Sequence, residues 1–286
     1  MLKYVDNSNT INQFENISEL YNWLKVTQRR PKADNSSEDL DRESWSGSKS
    51  LEDAYNLLLG GDMNLYNEFI KAKDLKMEKQ FACLVPKKRT KYDIVGGCVD
   101  VPSYLVGIPN CMIQREKTLI KSKVLNIMLN ITVSAGVSTT KMKELGTKYL
   151  QVIELLEKVG YRCNLYVGVC ANNSRDYLTC LVRVKTDKEP LNIKKCVFPM
   201  VHPSMFRRVM FNWLEKCEIQ SGREVTHMGY GCPVQDQNVI KKQIKDKIHR
   251  DYIVWGFQNC EYTEIGVDKI LEELKTKYGI TIGNNS

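Results

Sequence analysis

Histidine is scarce, and so are the short motifs that would give it chemistry. The 286 residues contain three histidines, His202, His227 and His249, all far apart. No H-E-x-x-H pair, G-x-S-x-G elbow or phosphate-cradling Gly-Lys-Ser/Thr loop occurs, so the motif-borne metallopeptidase, α/β-hydrolase and P-loop chemistries are excluded. None of the ten cysteines forms a C-x-x-C pair. Cys98, Cys163, Cys170, Cys180, Cys196 and Cys260 lie in or beside β-type apolar runs, where free thiols act as small buried hydrophobes. Cys217, His227 and Cys232 are zinc-ligand types, but their spacing fits no zinc pattern. A Cys232–His227 nucleophile pair is outweighed by a tight turn at Gly229–Pro233 with a buried thiol.

Long apolar runs are also missing. Asn, Lys or Arg interrupts them within about ten residues, too soon for a membrane span. Met1–Asn7 carries no apolar core followed by small residues, so no secretory signal is expected. A globular intracellular protein without a membrane partner is the expectation. Its charge is uneven: of a formal +8, residues 1–70 hold twelve acids and seven bases, leaving +13 on the remainder. A basic body attracts polyanions, although scattered surface lysines give the same total.

What is present is a long run of regular patterning after residue 118. Val124–Ser138 is an apolar run ending in hydroxyls, expected as a strand over Leu125–Val133 that opens onto a loop. Ligands in open α/β sheets sit beyond the carboxyl ends of strands, which makes Asn130, Thr132, Ser134 and Ser138 candidate site residues. A helix follows over about 140–159, with Leu145, Tyr149, Val152, Ile153 and Leu156 on one face and Gly160 as its stop. Tyr161–Cys170 and Tyr177–Lys185 read as strands around a short polar turn, hence an antiparallel hairpin, while the preceding helix implies a parallel crossover. Cys196–Val201 is a further apolar piece in the strand series, and His202-Pro-Ser starts a helix over Met205–Lys216. A basic helix over 239–250, a strand over 251–257, a helix over 267–277 and a strand over 279–283 complete a doubly wound mixed, mostly parallel sheet.

The N-terminal part reads differently. Residues 1–26 are expected as a small helical arm around Ser18–Lys25, and 27–44, nearly devoid of apolar side chains, as a polar linker or mobile loop. In 45–117, Ser50 and Asp53 open a helix that Gly60 ends, and a second helix spans about 64–78. Pro102 and Pro109 make 92–113 an ordered but irregular segment packed on the main sheet. The α/β domain occupies 118–286.

The order of elements over about 120–283 resembles a von Willebrand factor A domain, a Rossmann-like architecture. That resemblance places the family's Asp-x-Ser-x-Ser cation motif on Asn130-x-Thr132-x-Ser134, and a later acidic ligand near Gln258 or Asn259. Amides stand where carboxylates would hold a hard cation, so no cofactor and at most a weak divalent cation are implied. The whole chain also looks like a family of uncharacterised proteins of tailed bacteriophages and prophages. The residues behind this are Ser44–Ser48, Val101–Met112, and His202–Arg208 with Trp213 and Glu215. It implies a viral origin and residence in the host cytoplasm, with virion association open, and no defined reaction.

Two further constellations stand out. His202, Arg207 and Arg208 at a strand–helix junction are suited to an anion. Lys241, Lys242, Lys245 and Arg250 flank the stripe Ile240, Ile244 and Ile248, a solvated helix face or a nucleic-acid contact. The leading expectation is a non-enzymatic interaction protein whose partner, viral or host, meets the loops at the strand ends. A nucleic-acid-binding accessory factor is second, and a hydrolase or nuclease with a spatially assembled site third.

Overall fold

A computed structural model describes residues 1–6, 9–30, 35–73, 78, 90–115, 123–172, 177–218, 232–234, 236–248, 251–257, 270, 272 and 274–276. The expected hairpin and crossover are both present. Strand β6 (Val124–Asn130) runs parallel to β7 (Arg162–Asn172), which pairs antiparallel with β8 (Tyr177–Lys185). On the other side β6 is parallel to β10 (Ile253–Gly256), and β9 (Cys232–Pro233) adds a short antiparallel pairing to the end of β7. The apolar alternation puts one set of side chains on each face: Ile127, Leu129, Val167 and Trp255 on one, Met128, Tyr166 and Val254 on the other. Both faces are covered, which suits a mixed, mostly parallel sheet.

The N-terminal residues belong to this sheet, contrary to the helical arm expected of them. β1 (Leu2–Asp6) and β2 (Asn9–Phe14) form a hairpin, and β2 runs parallel to β8, so the path is β1-β2-β8-β7-β6-β10. Ile11 and Phe14 are buried on opposite faces. Their polar neighbours Thr10, Asn12 and Gln13 are also buried, and these hid the strand from a hydrophobicity reading. Helix α1 (Ile17–Val26) follows, capped by Asn16 and not Ser18, with the Asn16 side chain accepting from the Glu19 amide.

The larger face carries most of the helices. These are α2 (Glu43–Ser46), α3 (Leu51–Gly60), α4 (Met63–Lys71), α6 (Thr139–Val159), α7 (Ile193–Val201), a π-helical turn over Met205–Met210, and α8 (Phe211–Lys216). Ser50 caps α3 as expected, while the positive-φ residue that ends it is Gly61, one position beyond Gly60. α4 stops at Lys71, short of the expected 78. Cys196–Val201 is helix and not strand: Asn192 caps α7, and Pro199 is held inside it by burial on all sides. The helix α9 (Gln237–Ile248) covers the smaller face through Ile240 and Ile244. Residues 270, 272 and 274–276 are helical, as expected; Gln258, Asn259, the strand over 279–283, His227 and His249 lie outside the described residues.

Gly146 lets two helices meet. A Cβ there would fall 2.4 Å from the Met200 carbonyl oxygen and 2.7 Å from Val201 Cα, so α6 and α7 touch at backbone distance. The base of the hairpin holds a buried ion pair. Lys185 Nζ lies 2.6 Å from Glu157 Oε1 and donates to the Cys163 and Thr186 carbonyls, while Glu157 accepts from the Cys163 and Leu191 amides.

Residues 90–115 form a small sheet of their own, so the segment expected to be irregular holds regular strands. Strands β3 (Thr90–Asp93), β4 (Cys98–Val99) and β5 (Met112–Arg115) pair in the order β3-β5-β4, with the short helix α5 (Val101–Leu105) between β4 and β5. Pro102 sits in the first turn of α5, where its missing N–H costs nothing. Cys98 is exposed here, against the expectation of burial.

Candidate functional site

The loop after β6 turns its polar groups inward. Asn130 is fully buried, and its Oδ1 accepts from the Thr132 amide at 3.2 Å and the Thr132 hydroxyl at 2.6 Å. Thr132 Oγ1 in turn accepts from the Cys170 amide at 2.9 Å, tying the loop to β7. Ser134 is half-buried. Ser138 is exposed but accepts from the Lys141 amide as the cap of α6. Of the four candidates, then, two are spent on local structure inside the protein and a third on a helix start. The described residues hold no cluster of three or more metal-ligating side chains.

His202, Arg207 and Arg208 lie between helices, not at a strand–helix junction, and all three are buried. Arg208 donates to the carbonyls of Ser37 and Ser48, both at 3.0 Å, of Lys49 at 3.3 Å, and of Asp39. Arg207 donates to the carbonyls of Trp45 and Val137, and its guanidinium lies 4.3 Å from the centre of the Trp45 ring. Burial pushes the Arg207 guanidinium down to about 10, so it stays charged at neutral pH. Both heads are thus turned to main-chain oxygens, where a planar five-donor group can satisfy several acceptors at once. The terminal nitrogens of both guanidinia are directed at the chain itself, so this geometry adds nothing to the anion-binding reading.

The same network captures the segment expected as a linker. Ser37 is fully buried; its amide and hydroxyl donate to Glu215 at 3.0 and 2.7 Å. Glu215 also accepts from Asn212 and pairs with Arg29 at 3.4 Å. Residues 27–30 and 35–44 are therefore docked, held by polar contacts in place of the apolar side chains they lack. Burial raises the Tyr55 phenol, which donates to Asn212 Oδ1 at 3.0 Å.

Trp45 and Gly47 connect the two constellations. Trp45 Nε1 donates to the Ala135 carbonyl at 3.0 Å, reaching the loop after β6, while Arg207 reaches Val137 of that loop. Gly47 has φ +89°, and a Cβ on it would meet His202 Cε1 at 3.2 Å. Ser204 Oγ donates to the Ser46 carbonyl at 2.8 Å. The Ser-Trp-Ser-Gly-Ser and His-Pro-Ser-Met-Phe-Arg-Arg segments are one interlocked unit. Trp45, Ser37, Asn212 and Glu215 were not among the candidate residues, although Trp45 and Glu215 stand among the residues that carry the whole-chain resemblance.

A cleft of about 520 Å³ opens beside this unit, lined by Glu43, Asp53, Asp62, Glu68, Lys143 and His202 among others. His202 Nδ1 accepts from the Ser204 amide at 3.1 Å, and Nε2 faces Asp62 Oδ2 at 3.8 Å. Burial pushes the imidazole down to about 4, outweighing the nearby carboxylate. The neutral ring therefore carries its proton on Nε2 and points a donor, not a lone pair, into the cleft. Such a histidine does not serve as a general base without breaking its bond to Ser204.

On the opposite sheet face, Lys242 of α9 is exposed and Lys241 half-buried; the side chains of Lys245 and Arg250 lie outside the described residues. No helix among the described residues is long and apolar enough to cross a membrane. Among the described residues, Ile94, Val95, Tyr104, Leu105 and Val106 of the 90–115 module are apolar side chains that are each 63–79% exposed.

Fold and site together define a mixed α/β protein in which a buried arginine clamp locks an extended N-terminal segment onto the helical layer. Within that class, the chain belongs to the family described as a domain of unknown function, DUF7192, which matches residues 3–281. No curated protein matches the chain, and no solved structure does.

Proposed function

We propose that this is a phage-encoded, non-enzymatic interaction protein of the host cytoplasm, whose rigid body presents the 90–115 module to another protein. The observation that carries this reading is the apolar exposure of that module. Clustered exposed apolar side chains mark contact sites. The segment Val101–Met112, one of those that resemble tailed-phage proteins, makes up much of this surface. The arrangement β8-β7-β6-β10, with a helix between β6 and β7 and an antiparallel β8, supports a von Willebrand A-like body. Asn130 in the place of a metal-binding acid supports a contact that does not depend on a tightly held cation. The donor tautomer of His202 and the occupied guanidinia favour binding over hydrolysis. Relative to the strand-end loops, whose Asn130 and Thr132 face inward, the module is the better contact surface.

The test is affinity capture of the tagged full chain from cells that make it, with nuclease treatment, comparing the natural sequence with Leu105→Asp/Val106→Asp. A protein retained after nuclease and lost with the double variant is the expected result. Loss on nuclease treatment alone would overturn it in favour of the second reading, a nucleic-acid accessory factor. The exposed Lys242 beside Lys241 favours that alternative, and retention on heparin at about 0.3 M salt would strengthen it.

A further inference from the structure

We propose that the cleft beside His202 binds a small hydroxylated amine of the amino-sugar class, with one hydroxyl bridging His202 and Asp62 and the ammonium facing Glu43 and Asp53. The 90–115 module plays no part in this. The volume of about 520 Å³ lies inside the roughly 300–1,000 Å³ of small-molecule sites. Of the lining side chains only Leu57 and Leu65 are apolar, and none is aromatic. A flat apolar ligand would leave the polar lining without partners.

Charge narrows the class. Four carboxylates, Glu43, Asp53, Asp62 and Glu68, stand against two ammonium groups, Lys49 and Lys143. With the imidazole neutral, acid exceeds base in the lining by two charges, and a cleft of one sign draws in the opposite one. Lys143 lies 3.8 Å from Glu68, while Glu43 and Asp53 meet no base at ion-pair distance among the described residues. Their charges are felt by the Arg208 guanidinium, which is not part of the lining and whose terminal nitrogens donate to main-chain oxygens. Two carboxylates are left to receive a cation from the cleft.

His202 specifies the hydroxyl. The residue is only 7% exposed, and its Nδ1 accepts from the Ser204 amide, so the ring proton sits on Nε2. The acceptor that Nε2–H faces, Asp62 Oδ2, is 3.8 Å away, beyond hydrogen-bond reach. Asp62 Oδ1 is committed to the Leu65 amide at 2.9 Å as the cap of α4, which leaves Oδ2 for a ligand. A buried donor and a buried acceptor therefore flank one gap, which calls for an atom that accepts from the first and donates to the second. A hydroxyl does both. An ammonium has no lone pair to accept with, and a carboxylate or phosphate has no proton to give and would meet four carboxylates. Hydroxyl and ammonium joined on a small polar frame describe an amino sugar.

Saturation-transfer NMR titration of the purified full chain with D-glucosamine, D-glucose and cyclohexylamine tests this. The first carries hydroxyls and charge, the second hydroxyls alone and the third charge alone. Glucosamine is expected to bind about 10-fold more tightly than either. Asp62→Asn keeps an oxygen to cap α4 but turns the free acceptor into a donor, and should weaken glucosamine binding about 10-fold. Glu43→Gln/Asp53→Asn should bring glucosamine down to the affinity of glucose, and Glu144→Gln, an exposed carboxylate of α6 outside the lining, should change nothing. Proton–nitrogen spectra of the imidazoles give a readout that needs no change to the cleft acids. Of the three histidines, glucosamine should shift the ring signals of one, identified as His202 by their loss in His202→Asn. Equal affinity for the three ligands, unchanged binding by a folded Asp62→Asn protein, or unmoved His202 signals each overturn the inference. Capture of a protein through the 90–115 module is independent of all these outcomes, so the two readings fail separately.

Discussion

The Arg207 guanidinium stacks 4.3 Å from the centre of the Trp45 ring and donates to the carbonyl of the same residue. One side chain thereby holds Trp45 by its ring and its backbone, and through Val137 holds the loop that follows β6. Replacing Arg207 by Lys keeps the charge but loses the planar fork, so it is expected to cost about 3 kcal/mol. Urea denaturation followed by tryptophan fluorescence measures this; a Lys variant as stable as the natural protein would show that the stack is ornamental.

The pair Glu157–Lys185 supports a sharper test. Glu157→Gln leaves the Lys185 ammonium buried without its counter-charge and is expected to cost about 3–5 kcal/mol. Glu157→Leu with Lys185→Met removes both charges and should cost less than either single change. If the double variant is as damaged as the sum of the singles, the two residues act independently and the pairing argument fails.

Gly146 and Gly136 form a matched comparison. Alanine in a helix interior ordinarily gains about 1 kcal/mol over glycine, but at 146 its methyl would press on Met200 and Val201 backbone, while at 136 nothing lies within 4 Å. Gly146→Ala is expected to destabilise by about 2–3 kcal/mol and Gly136→Ala to leave the midpoint of thermal unfolding unchanged. A stabilised Gly146→Ala protein would contradict the close helix contact.

His202 makes stability depend on pH in a definite direction. Its folded-state value of about 4 lies below the ordinary 6.5. Above about pH 6.5 neither the folded nor the unfolded chain protonates it, so it contributes nothing there. As pH falls from 6.5 toward 4, the unfolded chain takes up a proton that the folded chain declines, removing about 3 kcal/mol by pH 4. His202→Asn, which keeps an acceptor for the Ser204 amide, should flatten that part of the profile in denaturation measured from pH 7 to 4.5. Stability that rises on acidification would instead mean that a charged His202 pairs with Asp62.

Thiol chemistry follows burial. Cys163, Cys170, Cys196 and Cys217 are buried and pushed up to about 12, and burial raises the Cys180 thiol well above the ordinary range, whereas Cys98 is exposed. Iodoacetamide at pH 7.5 with peptide mapping should modify Cys98 well before those five. Equal rates would place the five thiols nearer solvent than the fold allows.

The sequence by itself determined the elements whose side chains repeat with a clear period. Leu145 to Leu156 on a helix, the alternating β7–β8 hairpin and the crossover joining β6 to β7 follow from local spacing and short connections, and all are present. It also marked Trp45–Ser48 and His202–Arg208 as unusual, without showing that they touch. Tertiary structure decided what local patterning does not encode. β2 is a strand although it buries Thr10, Asn12 and Gln13, because a neighbouring strand supplies its hydrogen bonds. Cys196–Val201 is a helix although it is apolar throughout, because a buried helix and a buried strand look alike over six residues. Arg207 and Arg208 are interior because five carbonyls of residues 37–49, with that of Val137, converge on them. Only the folded chain brings those oxygens together, and only there does a polar stretch such as 35–44 gain enough hydrogen bonds to be held without a core of its own.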